Sequence, residues 1–115
     1  MPHVDAYRFG EIVIDGRSYL RDVKIIGSKV VPDWWRREGH HLYPEDIEDI
    51  LASDCEILVV GTGAYGVMKI DPMVKEACAR KGIKLEAYKT AQAVERFNSL
   101  SEQGQKVCGA FHLTC

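Results

Sequence analysis

Cysteine pairs at metal-binding or redox spacing are missing: the four thiols stand at Cys55, Cys78, Cys108 and Cys115, with no C-x-x-C among them. They read as reduced thiols, three of them packed in a core, and a cytoplasmic setting is expected. The mitochondrial matrix is the alternative if a presequence has been removed. The basic excess of a dedicated nucleic-acid binder is missing too, since 15 Lys and Arg face 17 Asp and Glu for a net charge of −2; no nucleic-acid partner is expected. The strongest apolar run, residues 57–60, is far too short to cross a bilayer, so no membrane partner is expected either. The start, Met1-Pro2-His3-Val4-Asp5, lacks the basic and apolar stretches of a signal peptide. No Gly-Lys-Ser/Thr triplet occurs, which excludes a P-loop. There is no internal repeat and no low-complexity linker. The 115 residues have room for one domain with one core, spanning 1–115.

What is present is an α/β pattern. Residues 7–14 and 17–26 are two strand-like runs joined by Asp15-Gly16, a pair suited to a tight hairpin. In the second run Tyr19, Arg21, Val23 and Ile25 share one face while Asp22 and Lys24 point the other way, which predicts one wet face. Gly27-Ser28 makes the next turn, and a short strand at Val30-Val31 stops at Pro32. After an irregular stretch over 33–42, Pro44 opens a helix with Glu45 and Asp46 in its first turn and Ile47, Ile50 and Leu51 as its buried stripe. Residues 56–60 predict a strand buried on both faces. Asp71-Pro72 starts a helix that Gly82 stops, with Met73, Val74, Ala77 and Cys78 inward and Glu76 paired with Arg80. Residues 83–89 alternate and belong near a sheet edge. Thr90 caps a helix through Leu100, buried through Ala93, Val94 and Phe97, and residues 107–113 form a central strand. Strands alternating with helices imply an α/β sheet with some parallel pairing: a βαβαβ-like C-terminal half, with the N-terminal β-hairpin on or beside it.

Charge is unevenly spread. Residues 17–41 hold six basic residues (Arg17, Arg21, Lys24, Lys29, Arg36, Arg37) against three acidic ones, whereas 42–56 hold six acidic residues and no basic one. Such asymmetry makes either a docking surface or, more simply, a solvated helix face.

Three segments invite a chemical reading. Gly61-x-Gly63-x-x-Gly66 follows a buried strand, where glycines let a backbone approach a phosphate and free amides cradle an anion. Glu86 stands 20 residues beyond Gly66, where a ribose-binding acid would be sought. Against a dinucleotide, residues 67–70 intervene before the helix start, and only about half of a full dinucleotide fold fits in the chain. A tight structural turn is the simpler reading, with a smaller ligand left open, and no cofactor is expected. The second segment, 34–41, gathers Trp34, Trp35, Arg36, Arg37, His40 and His41, able to stack on and neutralise an anion. Its simpler reading is a loop anchored by one Trp, with the arginines paired to the acidic helix and His41 capping local carbonyls. Third is the ending Phe111-His112-Leu113-Thr114-Cys115. By strand parity His112 lies with Cys108 and Ala110 while Phe111 and Leu113 face the other way, so Cys115 need not meet His112 as nucleophile and base. His40, His41, His112 and Cys115 would make a weak zinc set. The candidate ligand site is therefore Gly61, Thr62, Gly63, Tyr65 and Gly66 beside Arg36 and His41, with no catalytic and no metal residue assigned.

Several of these features recur together in order: the Asp-Gly hairpin, Trp34-Trp35-Arg36 with Gly39 and His41, Pro44-Glu45-Asp46-Ile47, residues 57–63, Thr90-Ala91-Gln92-Ala93-Val94 with Asn98, and the Phe-His-Leu-Thr-Cys ending. This ordered set resembles the adipogenesis-associated domain family, a domain of unknown function to which mitochondrial complex I assembly factor three is distantly similar. The resemblance implies a layered α/β domain with a mixed central sheet and a separate small β element. It carries over no catalytic residue, and suits an interaction or assembly module.

With no coherent catalytic constellation, the leading expectation is a non-enzymatic cytoplasmic interaction domain with a protein partner. The rival is a small-molecule or anion-binding protein, or an enzyme, with its site at the 61–66 turn beside Arg36 and His41. A homodimer would suit either, since a small domain gains core area that way.

Overall fold

Asp15 and Gly16 both take positive φ (49° and 81°), the pairing a two-residue hairpin turn demands. In the computed structural model, which describes residues 2–115, this turn joins β2 (Glu11–Ile14) to β3 (Arg17–Tyr19). A second turn at Phe9-Gly10 adds β1 (Val4–Arg8), so the expected hairpin is one edge of a three-stranded antiparallel sheet ordered β1-β2-β3. The run over 17–26 does not stay one strand. It breaks at residues 20–22, and β4 (Val23–Ile26) leaves for a different sheet.

That sheet is mixed, with the order β5-β4-β10-β7-β9. β7 (Ile57–Thr62), β9 (Lys84–Tyr88) and β10 (Val107–His112) run parallel, joined by α2 (Pro72–Arg80) and α3 (Thr90–Glu102) in the expected βαβαβ manner. β4 and β5 (Lys29–Val31) add antiparallel on the far side of β10. β9 and β5 are the edges, and β10 sits at the centre with all six residues buried. A 3-10 turn (Pro44–Ile47) leads into the short α1 (Glu48–Leu51), and β6 (His41–Leu42) pairs in parallel with β8 (Lys69–Ile70).

The central sheet is covered on both faces. On one, α3 and the small sheet pack Ile12, Ile14, Phe97 and Leu100 against Val23, Val59 and Phe111, with the Phe97 and Phe111 rings edge-on at 5.7 Å. Asn98 ties the layers by accepting from Val4 N (2.9 Å) and donating to Val4 O (2.8 Å). On the other face Trp34, Leu42, Ile47, Ile50, Val74 and Cys78 cover Leu58, Val60, Cys108 and Ala110.

Several local expectations need correction. The face of β4 carrying Lys24 is not wet: the segment over 33–51 lies on it, the lysine stem is buried, and its ammonium reaches both Asp49 oxygens at 2.8 Å. Met73 is exposed rather than inward, because its position on α2 faces away from the sheet, and Leu51 is only partly buried. Glu76 and Arg80 form no ion pair among those of the described residues; at full exposure such a pair gains too little to fix two long side chains. Thr90 does not cap α3, since its hydroxyl is turned to the neighbouring strand ends.

Candidate functional site

Where β10 ends, its last residue meets the chain entering β4. His112, Asp22 and Arg36 form a buried cluster there, with side chains only 6%, 14% and 4% exposed. Asp22 Oδ2 lies 2.8 Å from both Arg36 Nη1 and His112 Nδ1, and Oδ1 accepts from Leu113 N at 2.8 Å. Burial alone would raise the Asp22 carboxyl, but His112, the Leu113 amide and Arg36 together outweigh it and hold it below the usual carboxylate range. Arg36 is fixed on every side. Its Nε and Nη2 donate to Gly39 O (3.3 and 2.8 Å), its plane stacks on Trp34 at 4.6 Å, and Trp34 is pinned by Nε1 donating to Asp46 O (2.9 Å) and its own N–H to Asp22 O (2.9 Å).

His112 Nδ1 also stands 3.0 Å from Arg36 Nη2. Because the shorter contact is to the carboxylate, we assign the proton to Nδ1, donating to Asp22 and leaving a lone pair on Nε2. That Nε2 is buried without a partner, and so is Arg36 Nη1, whose contact with Asp22 is ionic rather than a directed hydrogen bond. Buried polar atoms are seldom left so. Both residues line a cavity of about 450 Å³ just beyond the carboxyl end of β10, where open α/β sheets commonly hold their ligands. Leu20 and Trp35, 74% and 76% exposed, are its apolar walls. Arg21 lies over the Trp35 ring at 5.4 Å, and His40 meets the His112 ring edge-on at 5.7 Å.

Of the residues singled out in the sequence, Arg36 is in this cavity; His41 and the 61–66 turn do not line it. His41 stacks on Tyr43 and sets Nε2 3.1 Å from Asp71 Oδ2. The Asp71 carboxyl is lowered first by the Met73 amide it caps and then by His41. In the glycine turn four amides are taken up by the chain itself. Gly63 N donates to Thr90 Oγ1 (2.9 Å), Ala64 N to Thr114 O (2.6 Å), Gly66 N to Gly63 O (3.2 Å) and Val67 N to Cys115 O (3.0 Å). Thr62 Oγ1 donates to Tyr88 O at 3.0 Å, and Tyr65 is exposed against Phe9, 6.1 Å away. Gly61 lies in β7, where a Cβ would stand 2.8 Å from Thr90 Oγ1. The turn thus clasps the last two residues. It reaches the cavity only through Thr114, which lines it, and through Thr90, whose hydroxyl donates to His112 O at 2.6 Å.

Asp22 was not among the sequence candidates; His40 was weighed only in the 34–41 stacking segment and for zinc, and His112 only as a partner for Cys115 or zinc. The usable signal was Asp22 itself, an acid inside a strand-like run opposite a basic, aromatic loop. Charge asymmetry is largely internal pairing, with Lys24 on Asp49 and Arg37 3.6 Å from Glu45. Cys55, Cys78 and Cys108 are buried as expected, and no group of three His, Cys, Asp or Glu among the described residues is placed to hold a metal ion.

Glu86 serves the fold. Arg96 Nε (2.8 Å), and then the Tyr88 hydroxyl (2.7 Å), hold its carboxyl down at about 2. A lowered acid stabilises the native state in full above its ordinary value of 4.5 and ceases to as pH falls through about 2. Glu86→Gln is therefore expected to cost roughly 1–2 kcal/mol at neutral pH, solvent screening of the part-exposed Arg96 included. Urea unfolding curves of parent and variant should converge in strong acid; an equal gap at every pH would refute the assignment.

A family model described as "Protein of unknown function (DUF498/DUF598)" matches residues 4–112, nearly the whole chain. The chain belongs to that family. The resemblance drawn from the Gly-Thr-Gly turn and the Phe-His-Leu-Thr-Cys ending is thereby borne out. Solved structures agree on the DUF498/DUF598 fold. The conserved hypothetical protein PH1505 from Pyrococcus horikoshii OT3 is 27% identical over 97% of this chain and 98% of that one, with a TM-score of 0.77. MT938 matches over 100% of both chains at 21% identity and a TM-score of 0.82. A protein described as an outer membrane protein from Bartonella henselae matches at 22% identity and a TM-score of 0.85, covering 99% of this chain and 96% of that one. Among the described residues no helix is long and apolar enough to cross a membrane.

Proposed function

We propose that this chain is a non-enzymatic, cytoplasmic protein-interaction module that seats its partner over the cavity between Leu20, Trp35 and the Asp22–Arg36–His112 cluster. The observation that carries the reading is Trp35. Its neighbours are anchored, yet its own indole stands 76% exposed beside Leu20 at 74%, with the Arg21 guanidinium laid over the ring. Exposed large apolar side chains grouped around a concavity are the usual mark of a binding face, and Trp and Arg are the residues most enriched at interface hot spots. The rival reading, a small-molecule or anion-binding protein, is favoured by the unpartnered atoms of Arg36 and His112, two residues that line the cavity.

The test places a benzoylphenylalanine photo-crosslinker at position 35 and, as control, at position 73 of α2, which is also exposed. A reproducible protein adduct at 35 and not at 73 is expected, and Trp35→Ala should weaken binding of that purified partner about 30-fold, a hot-spot loss of about 2 kcal/mol. Adducts limited to a second copy of the chain would make the partner a homodimer. Indistinguishable adducts at both positions would overturn the reading.

A further inference from the structure

We propose that the floor of the cavity is a carboxyl-recognition site: Arg36 Nη1 and His112 Nε2 take the two oxygens of one carboxylate whose apolar substituent lodges between Leu20 and Trp35. The two atoms are the buried side-chain polar atoms among the described residues that lack a hydrogen-bond partner, and both belong to residues lining the same concavity. Leaving a buried donor and a buried acceptor unmade is costly, and a ligand that satisfies both recovers that cost on binding.

The number of free groups selects the ligand. Arg36 is charge-balanced by Asp22, so that pair contributes no net charge to the site. When one proton arrives with the ligand, Nε2 becomes a donor beside Nη1 and the cluster carries a single positive charge. Two donors and one charge match a carboxylate; a phosphate would bring more acceptors and more charge than the floor can meet. The proton rests between Nε2 and a carboxyl oxygen, and no bond other than hydrogen bonds forms or breaks. Asp22 and Arg36 at the floor, His40 over the His112 ring, Arg21 and Asp33 at the mouth, and Tyr7 beside Asp22 with its hydroxyl donating to Leu113 O are the charged or titratable groups around the site. Leu20 and Trp35 supply apolar surface for an aliphatic or aromatic group next to the carboxylate. This rests on the preceding reading in one respect: the carboxylate is taken to be a protein partner's, a chain terminus or an acidic side chain beside an apolar one.

The probes are 3-phenylpropanoate with its uncharged isostere 3-phenylpropanamide, and a tetrapeptide ending in phenylalanine as free acid and as C-terminal amide. Each is titrated into intact protein carrying imidazole-15N histidine. Both acids are expected to bind about tenfold tighter than their amides. The His112 Nε2 resonance should move from its lone-pair position toward the protonated one with the acids alone. Arg36→Lys, which keeps the charge and loses the planar donors, should abolish the tenfold preference. If that variant does not fold, the nitrogen shifts of the parent protein decide. Acids and amides binding alike, or acids binding without moving Nε2, would overturn the proposal while leaving a Trp35-dependent protein partner intact. Binding of the small acid but not of the peptide acid would uphold the carboxyl site and count against a protein as its occupant.

Discussion

Replacing Asp22 by asparagine is expected to destabilise the fold by about 3–5 kcal/mol, the usual cost of breaking a buried ion pair from one side. The carboxylate has three partners at 2.8 Å: His112 Nδ1 and Leu113 N donate to it, and Arg36 Nη1 makes an ionic contact. An amide has one acceptor oxygen, so its NH2 would be driven against either the arginine and histidine or the Leu113 amide. The Arg36 charge, 4% exposed, would remain without a counter-ion. In urea the midpoint should fall with the slope unchanged. Acid should narrow the gap. The Asp22 carboxyl is pushed up by burial but held lower on balance by His112, Leu113 and Arg36, so its contribution is complete above the ordinary aspartate range and is lost as pH drops through the depressed value. The decisive comparison is Asp22→Leu alone against Asp22→Leu with Arg36→Met. If the cluster is an ion pair kept for recognition rather than stability, the double variant should be the more stable of the two. Additive losses would show instead that each residue acts alone.

That cluster also marks where the sequence is hard to read. Elements held by local rules were visible: Asp-Gly demanded its turn, the apolar 57–60 run demanded burial on two faces, Asp71-Pro72 opened α2, and the parity of the last strand correctly set His112 with Cys108 and Ala110. Asp22 and Lys24 were misplaced because alternation reports only that one face of a strand differs from the other. It does not say whether the polar side meets water or meets partners brought from elsewhere. Here Lys24 meets Asp49 of α1, while Asp22 meets His112 at the end of β10 and Arg36 from the irregular stretch over 33–42, whose path no local rule specifies. The cavity inherits the same difficulty, since its floor joins positions 22, 36 and 112, and only long-range topology brings β4 and β10 side by side. Arg36 was legible from the density of Trp, Arg and His around it. Which of its two neighbouring histidines it would share a cavity with was not: His40 lies against the His112 ring at the cavity and His41 turns to Asp71, a choice made by the pairing of β6 with β8.

The glycine turn was legible as a motif and is now specific in its purpose, which gives the second large effect. Gly63→Ala is expected to cost about 3 kcal/mol. At φ of 107° the backbone is in the region that side chains avoid, a strain of at least about 1 kcal/mol. An added Cβ would also collide with the Cys115 carbonyl and stand 2.8 Å from Thr114 O. Moving those two residues aside breaks the hydrogen bonds from Ala64 N to Thr114 O (2.6 Å) and Val67 N to Cys115 O (3.0 Å), each worth about 1 kcal/mol. In a chain lacking residues 114 and 115 the steric term has nothing to act on, so the same substitution should cost only about 1 kcal/mol there. Equal costs in both backgrounds would mean that the turn does not clasp the chain end. The effect should also reach the cavity, because Thr114 lines it and Thr90 bridges Gly63 N to His112 O. A glycine motif that reads like a phosphate cradle thus works from behind. It brings the chain end close enough to hold the histidine in place, and Gly63→Ala should disturb the His112 ring resonances even where the protein stays folded.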